Sequence, residues 1–529
     1  MRVPMAAAPH RLLSAIKAQN RGATELGKGE FRMAEHEATG IQVGRRDFIK
    51  ATALAGVVAA TLPGTSLAAQ EGVKAVFKPS PEGTKRNVLF ITDAPKRYEP
   101  LMNRIRAIRE FEFTVSPLEV NLQKSPESVR SSLGASTDIV FMVLPQLTSS
   151  TGSIAAGMGD INVPVIILPV NFDLIMLEAD VAAQFRARGV NALLANSEEQ
   201  ALELIRIAAA PRILEGKRAL IFGRPFDSTS IPARNLNADY VYRHTGVTLQ
   251  YRPVEELKQR LESIDEASAR KDMERWKREA TEVVETSDKA ILDSSRLYLL
   301  LRSLVEKEGL AGISIDCLGF SFNPNPILPY PCLPTTRLRD EGIAVPCEAE
   351  VCGMLTSMVF QGISRKSSYF ANVSAVDTQK SSAVLRHCVA PLKLLGADAP
   401  ALPYRLRDYH GTGRGVTAEV QFPVGLDVTM GGFNKDLTGF VLWPGKTVAR
   451  VRDTDRPSFE NAPPAYAKMR RYCSNHLEVK VKDVDSFIQK IAGCHHVMVA
   501  GNYKKAVGEA MLRMNVRVIG PSDFSVLEA

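Results

Sequence analysis

The chain has 529 residues, of which 45% are hydrophobic and 23% charged, and its formal net charge is +8. Residues 1–68 hold 9 of the 66 Lys/Arg and 5 of the 58 Asp/Glu, so residues 69–529 carry only +4. That excess is too mild to argue for nucleic acid or stable membrane anchoring, and the length suffices for roughly two or three domains with real cores.

The first legible element is "GRRDFIKATALAGVVAATLPGTSLAAQ", residues 44–70. Arg45 and Arg46 precede an uncharged apolar run over 51–62. Pro63 and Gly64 break that run, and Ser66-Leu67-Ala68 offers the small-x-small pattern that signal peptidase recognises. The run falls far short of the about 20 apolar residues that span a bilayer. The segment resembles a twin-arginine signal, which exports proteins already folded. It implies the twin-arginine translocase as a partner and a periplasmic or otherwise exported mature protein. It also implies a reason to fold first, such as a metal, a cofactor or an oligomer.

Short apolar runs ending in turn residues then alternate with helical stretches. "NVLFITDAP" from Asn87, "DIVFMVLP" from Asp138 and "VPVIILPV" from Val163 predict buried strands, and "SEEQALELIRIAAA" from Ser197 a helix. The alternation predicts a first α/β domain over 75–210, its parallel sheet covered on both faces. A second, over 211–366, opens on "KRALIFGRPFDS" from Lys217, with polar residues at the strand's carboxyl end, where such sheets place ligands. A long charged helical segment is expected over 271–308, feeding the strand "GISIDCLGF" that ends near Asp316. A proline-rich loop, "NPNPILPYPCLP", follows, and long loops of this kind inside compact domains are often functional. No GxGxxG fingerprint is present. Segments such as "TAEVQFPVG" and "HLEVKVKD" then predict a β-rich, barrel-like domain over 367–529. The expected class is α/β: two Rossmann-like or flavodoxin-like parallel-sheet domains followed by a β-rich C-terminal one.

Seven cysteines (Cys317, Cys332, Cys347, Cys352, Cys388, Cys473 and Cys494) fit neither C-x-x-C nor iron–sulfur spacing. Their odd count leaves at least one thiol without an internal disulfide partner, and scattered buried thiols are the plainer expectation. Acids and imidazoles gather at turns: Glu348 and Glu350 in "PCEAEVCG", Asn372 and Asp377 in "SYFANVSAVD", His387 in "LRHCVAP", His495 and His496 in "AGCHHVMVAG". Two carboxylates and two imidazoles suit a divalent ion of the Mn²⁺ class, although a lone His or Glu is more often structural. "RDYHGTGRGV" adds His410 and Arg414 on a glycine-rich loop, which either contacts substrate or is a solvent loop.

In this order, the two α/β layers, the β-rich end and the motifs "CEAE", "RHC" and "GCHHV" resemble the L-fucose/L-arabinose isomerase superfamily, from about Asn87 onward. The resemblance implies Mn²⁺ where the second α/β layer meets the β domain, aldose–ketose isomerisation of a sugar or other polyhydroxy carbonyl compound, and a homo-oligomer. It implies Glu348, His387 and His496 as metal ligands, with Glu350 the second acid of its motif. It sets His495, the neighbour of His496, toward substrate, where the loop of His410 and Arg414 could also reach. The family's other catalytic carboxylate falls near "YFANV", where this chain has Asn372, and an amide cannot shuttle a proton at neutral pH. Glu348 alone, or Asp377, would have to complete the proton relay. Two functions follow: an exported metal-dependent isomerase acting through an enediol, or a non-catalytic periplasmic sugar-binding relative that has lost the second acid.

Overall fold

Apolar runs become β1 (Lys85–Thr92), β3 (Ile139–Leu144), β4 (Val165–Pro169) and β5 (Ala192–Leu194), and the alternating "EFTVSPLE" becomes the edge strand β2 (Glu112–Glu119). The computed structural model describes residues 85–521 except 110, 146, 148–150, 228–233, 322–325, 413–414 and 450–472. The twin-arginine segment and Arg414 therefore lie outside the described residues. The five strands are all parallel, in the order β2-β1-β3-β4-β5, the order of flavodoxin-like sheets. Val88, Phe90, Phe141 and Val143 enter one core and Leu89, Ile91, Val140 and Met142 another, so both faces are covered.

The second layer is a smaller parallel sheet, β7-β6-β9, built from β6 (Arg218–Phe222), β7 (Thr248–Arg252) and β9 (Gly312–Ile315). A parallel bridge from Gly312 to Ala344 extends it. The long helical segment expected over 271–308 is two helices, Glu266–Glu279 and Asp288–Glu308. Between them β8 (Glu282–Val283) joins a separate small sheet with β12 (Tyr404–Arg407) and β13 (Thr417–Val420). The β-branched Thr281, Val283 and Val284 favour extended backbone there, and Ser287 restarts the helix by accepting the Ala290 N–H.

The remaining strands are β10 (Tyr369–Asp377), β11 (Ser382–His387), β14 (Asp427–Phe433), β15 (Gly439–Ala449), β16 (Asn475–Val481), β17 (His495–Ala500) and β18 (Arg517–Ile519). Six of them close on themselves through antiparallel pairings, β10-β11-β16-β15-β14-β17 and back to β10. The β-rich region is thus a small barrel, with β18 added in parallel to β15. Closure removes the free edges that an open sheet would expose. Ala371, Leu385, Met430, Trp443, Leu477 and Met498 fill its interior. Phe370, Val497 and Leu442 point outward into the core shared with the α/β layers. The helix Val351–Ser364, buried at every position, packs against β9 on one side and β14 and β17 on the other. The described residues all belong to one compact unit. No helix among the described residues is long and apolar enough to cross a membrane.

Candidate metal centre

Glu348 stands in the turn that links the bridge at Ala344 to the helix Val351–Ser364. It and Ala349 both adopt left-handed backbone, with φ of 65° and 54°. Non-glycine residues held there cost about 1–3 kcal/mol each. Three backbone hydrogen bonds hold the turn: Ala349 N to Ile315 O at 3.1 Å, Phe226 N to Ala349 O at 3.4 Å, and Glu350 N to Cys347 O at 3.3 Å. The turn thus delivers the carboxylate to the barrel's outer face beside the end of β9.

Two imidazoles meet it there. His387 ends β11 and His495 begins β17. Their Nε2 atoms lie 3.7 Å and 3.4 Å from the two oxygens of Glu348. The Phe370 ring lies 5.2 Å from the His387 ring and 4.5 Å from that of His495, and Phe226 packs 5.0 Å from His495 on another side. One donor atom from each of Glu348, His387 and His495 falls within 4.8 Å of the others. Donors about 2.1 Å from a tetrahedral ion would be about 3.4 Å apart, close to the carboxylate–imidazole spacings.

Neither ring nitrogen of His387, nor Nδ1 of His495, has a hydrogen-bond partner, although both side chains are only 4% exposed. Buried polar atoms are normally paired, so an unpartnered His387 Nε2 facing a carboxylate suits a metal ligand. Burial holds His387 well below its ordinary pKa, with His495 and Arg339 adding to the effect. Burial, then Lys435 and His496, lowers His495 to about 3. Both rings are therefore neutral at pH 7, the form that ligates metals. Burial pushes the Glu348 carboxyl up to about 7, helped by Cys473, Glu350 and Asp316. The group can hold a divalent ion with open positions left for water or substrate.

The other expected residues go elsewhere. His496 is not a ligand of this group. It sits opposite Ala371 across the β10–β17 pair, its ring 5.8 Å from Phe487 on the barrel's interior side, and its Nε2 accepts the Ala492 N–H at 3.3 Å. Strand side chains alternate, so only one of two consecutive histidines can face Glu348, and it is His495. Glu350 is not a second acid of the site either. It caps the helix Val351–Ser364 by accepting the Gly353 N–H, and it pairs with Lys435 at 3.2 Å. Lys435 also binds Asp227 at 2.7 Å, so one ammonium bridges the two carboxylates of the Asp227–Glu350–Cys352 group.

Asn372 lies directly across from His495 and from Arg386, on the face that looks toward the site. Asp377 is five residues further along β10, about 17 Å away at strand rise, where it caps a turn and pairs with Lys380 at 3.2 Å. It cannot complete a proton relay at Glu348. His410 stands beside Cys388, its Nε2 2.9 Å from that sulfur.

A further carboxylate, outside the expected set, lies near this group. Asp316, at the carboxyl end of β9, accepts the N–H groups of Gly319 at 2.9 Å and Arg224 at 3.2 Å. It helps raise the Glu348 pKa. It also lines a cavity of about 660 Å³ with Gly223, Arg224, Tyr251, Arg252 and Phe320, at the carboxyl ends of β6, β7 and β9. That volume lies within the range of small-molecule sites. The strand-end rule already pointed to Asp316, but spacing did not show that its charge reaches Glu348. No family model matches the chain, and no curated protein matches it.

Proposed function

We propose that the chain binds one divalent cation of the Mn²⁺ class through Glu348, His387 and His495 and interconverts an aldose and a ketose through an enediol. The observation that carries this reading is the convergence of two neutral imidazoles on a buried carboxylate, whose ionisation is influenced by Asp316, a residue that lines a cavity of about 660 Å³. When bound, the cation would polarise the hydroxyl and carbonyl oxygens of the substrate. In this reading Asp316, oriented by two backbone N–H groups, takes the proton from carbon 2. Glu348 binds and orients, and the Asn372 amide offers hydrogen bonds but moves no proton. Arg224 and Arg252 at the cavity suit hydroxyl oxygens or an anionic substituent.

The reading is tested by exchange of the carbon-2 proton of candidate aldoses in deuterated water, followed by NMR with Mn²⁺ present. Exchange in the wild type that is lost in Asp316→Asn, with Mn²⁺ binding retained, supports the assignment. Exchange unchanged in Asp316→Asn removes it. The second reading, sugar binding without turnover, is favoured by Asn372 at the position beside His495 and by the absence of Glu350 and Asp377 from the site. It predicts a sugar-induced rise in melting temperature with no exchange in any variant. Under either reading the mature protein is exported folded and assembles as a homo-oligomer. Replacing Arg45 and Arg46 by lysine should retain the precursor in the cytoplasm, and unchanged export would remove the signal assignment.

A further inference from the structure

We propose that Cys388, His410 and Cys473 form a second metal site, one for a thiophilic cation of the Zn²⁺ kind. It shares no ligand with the Glu348 group and does not rest on the isomerase reading. The fold itself brings the two thiols together. Cys388 directly follows β11, Cys473 shortly precedes β16, and the antiparallel register of these strands ends at His387 opposite Asn475. Asn475 fixes that corner: its amide donates to Cys388 O at 3.1 Å and Ala418 O at 3.0 Å, and its oxygen accepts the Val420 N–H at 2.8 Å. His410 comes from the loop before β13, in left-handed backbone with φ of 54°, its ring edge-on to Tyr409 at 4.3 Å. A strained non-glycine residue of this kind persists where its surroundings over-determine it.

The spacings bracket those of ligation, with the His410–Cys388 pair drawn in to hydrogen-bond distance. The sulfurs are 3.6 Å apart, and His410 Nε2 lies 2.9 Å from Cys388 Sγ and 3.9 Å from Cys473 Sγ. A tetrahedral zinc with Zn–S of about 2.3 Å and Zn–N of about 2.0 Å sets sulfur–sulfur edges of about 3.8 Å and sulfur–nitrogen edges of about 3.5 Å. All three donors lie within 4.8 Å of one another, with Cys388 and His410 buried. Two thiolates and an imidazole favour zinc over the harder Mn²⁺, whereas the carboxylate-containing Glu348 group accepts the latter. His387 and Cys388 are consecutive and serve different groups, so the two ions would sit side by side. Three protein donors leave the fourth position for water or another ligand.

The test uses the full chain, reduced and freed of metal, titrated with Co²⁺ as a spectroscopic stand-in for Zn²⁺. The expected result is thiolate-to-cobalt charge-transfer absorption that saturates at one ion per chain and is bleached by Zn²⁺. It should persist in His495→Ala, which damages only the Glu348 group, and Co²⁺ affinity should fall at least about 10-fold in Cys473→Ser. In the wild type, where no variant fold is at issue, one equivalent of Zn²⁺ should slow alkylation of Cys388 and Cys473 several-fold and leave the exposed Cys494 unchanged. Absent charge-transfer absorption, unaltered alkylation, or a Cys388–Cys473 linked peptide in protein recovered from its native compartment would each overturn the proposal. Failure of the Glu348 site would instead appear as lost Mn²⁺ binding with the cobalt spectrum intact.

Discussion

His495 looks out of the barrel toward Glu348 and His496 looks in, because a strand turns successive side chains to opposite faces. His495→Ala should therefore weaken divalent-ion binding by more than the about 10–100-fold typical of outer-shell changes. His496→Ala should leave that affinity unchanged and lower the melting temperature. Calorimetric titration and thermal melts on both variants check the pair, and equal losses of affinity would contradict the assignment. The same residues set a pH dependence. Burial raises Glu348 from 4.5 to about 7, so in the metal-free protein its contribution to stability is full below 4.5 and is lost as pH rises through about 7. His495 is depressed from 6.5 to about 3, so its contribution is present above 6.5 and is lost as pH falls through that window. A cation requires the carboxylate unprotonated. Its affinity should therefore fall as pH drops below about 7, with about one proton released per ion bound at pH 6. Titrations in buffers of different ionisation enthalpy measure that number, and zero release would refute the carboxylate's part.

The helix Val351–Ser364 governs the site from behind, through Gly353. A Cβ there would stand 2.3 Å from Phe370 Cε2 and 2.5 Å from Glu350 Oε2, in a fully buried contact. Gly353→Ala should destabilise by about 1–3 kcal/mol, as overpacking does, and should also weaken metal binding, because Phe370 packs against both imidazoles. Denaturant melts and ion titrations on one preparation test both halves, and a variant matching the wild type in both would count against the packing account. At this scale the sequence was most legible where the signal is local. Runs such as "VLFI" and "VIILP" carry the parallel sheet outright, and Asp316 is marked by its place at a strand's end. Barrel closure was legible only as β-rich texture, since pairings such as β10 with β17 join segments more than a hundred residues apart. The choice between His495 and His496, and the loss of Glu350 to a helix cap and Lys435, depend on register and on partners distant in sequence. Periodicity cannot supply either.

For the whole molecule, the site is a seam. Glu348 comes from the second α/β layer and His387 and His495 from the barrel, so one ion would fasten the two together as well as serve chemistry. Binding to the folded state alone should add about 2.7 kcal/mol of stability at an ion concentration 100 times the dissociation constant. Such an ion, chosen before export, would also give the twin-arginine signal proposed for residues 44–70 its reason. The most direct measurement is Mn²⁺ uptake followed by the loss of the free-ion electron paramagnetic resonance signal, run on wild type, Glu348→Gln and a His387→Ala/His495→Ala double variant. The account predicts one Mn²⁺ per chain in the wild type, with a melting temperature that rises as Mn²⁺ is added, and loss of both effects in each variant. Uptake and melting behaviour indistinguishable among the three proteins would contradict it.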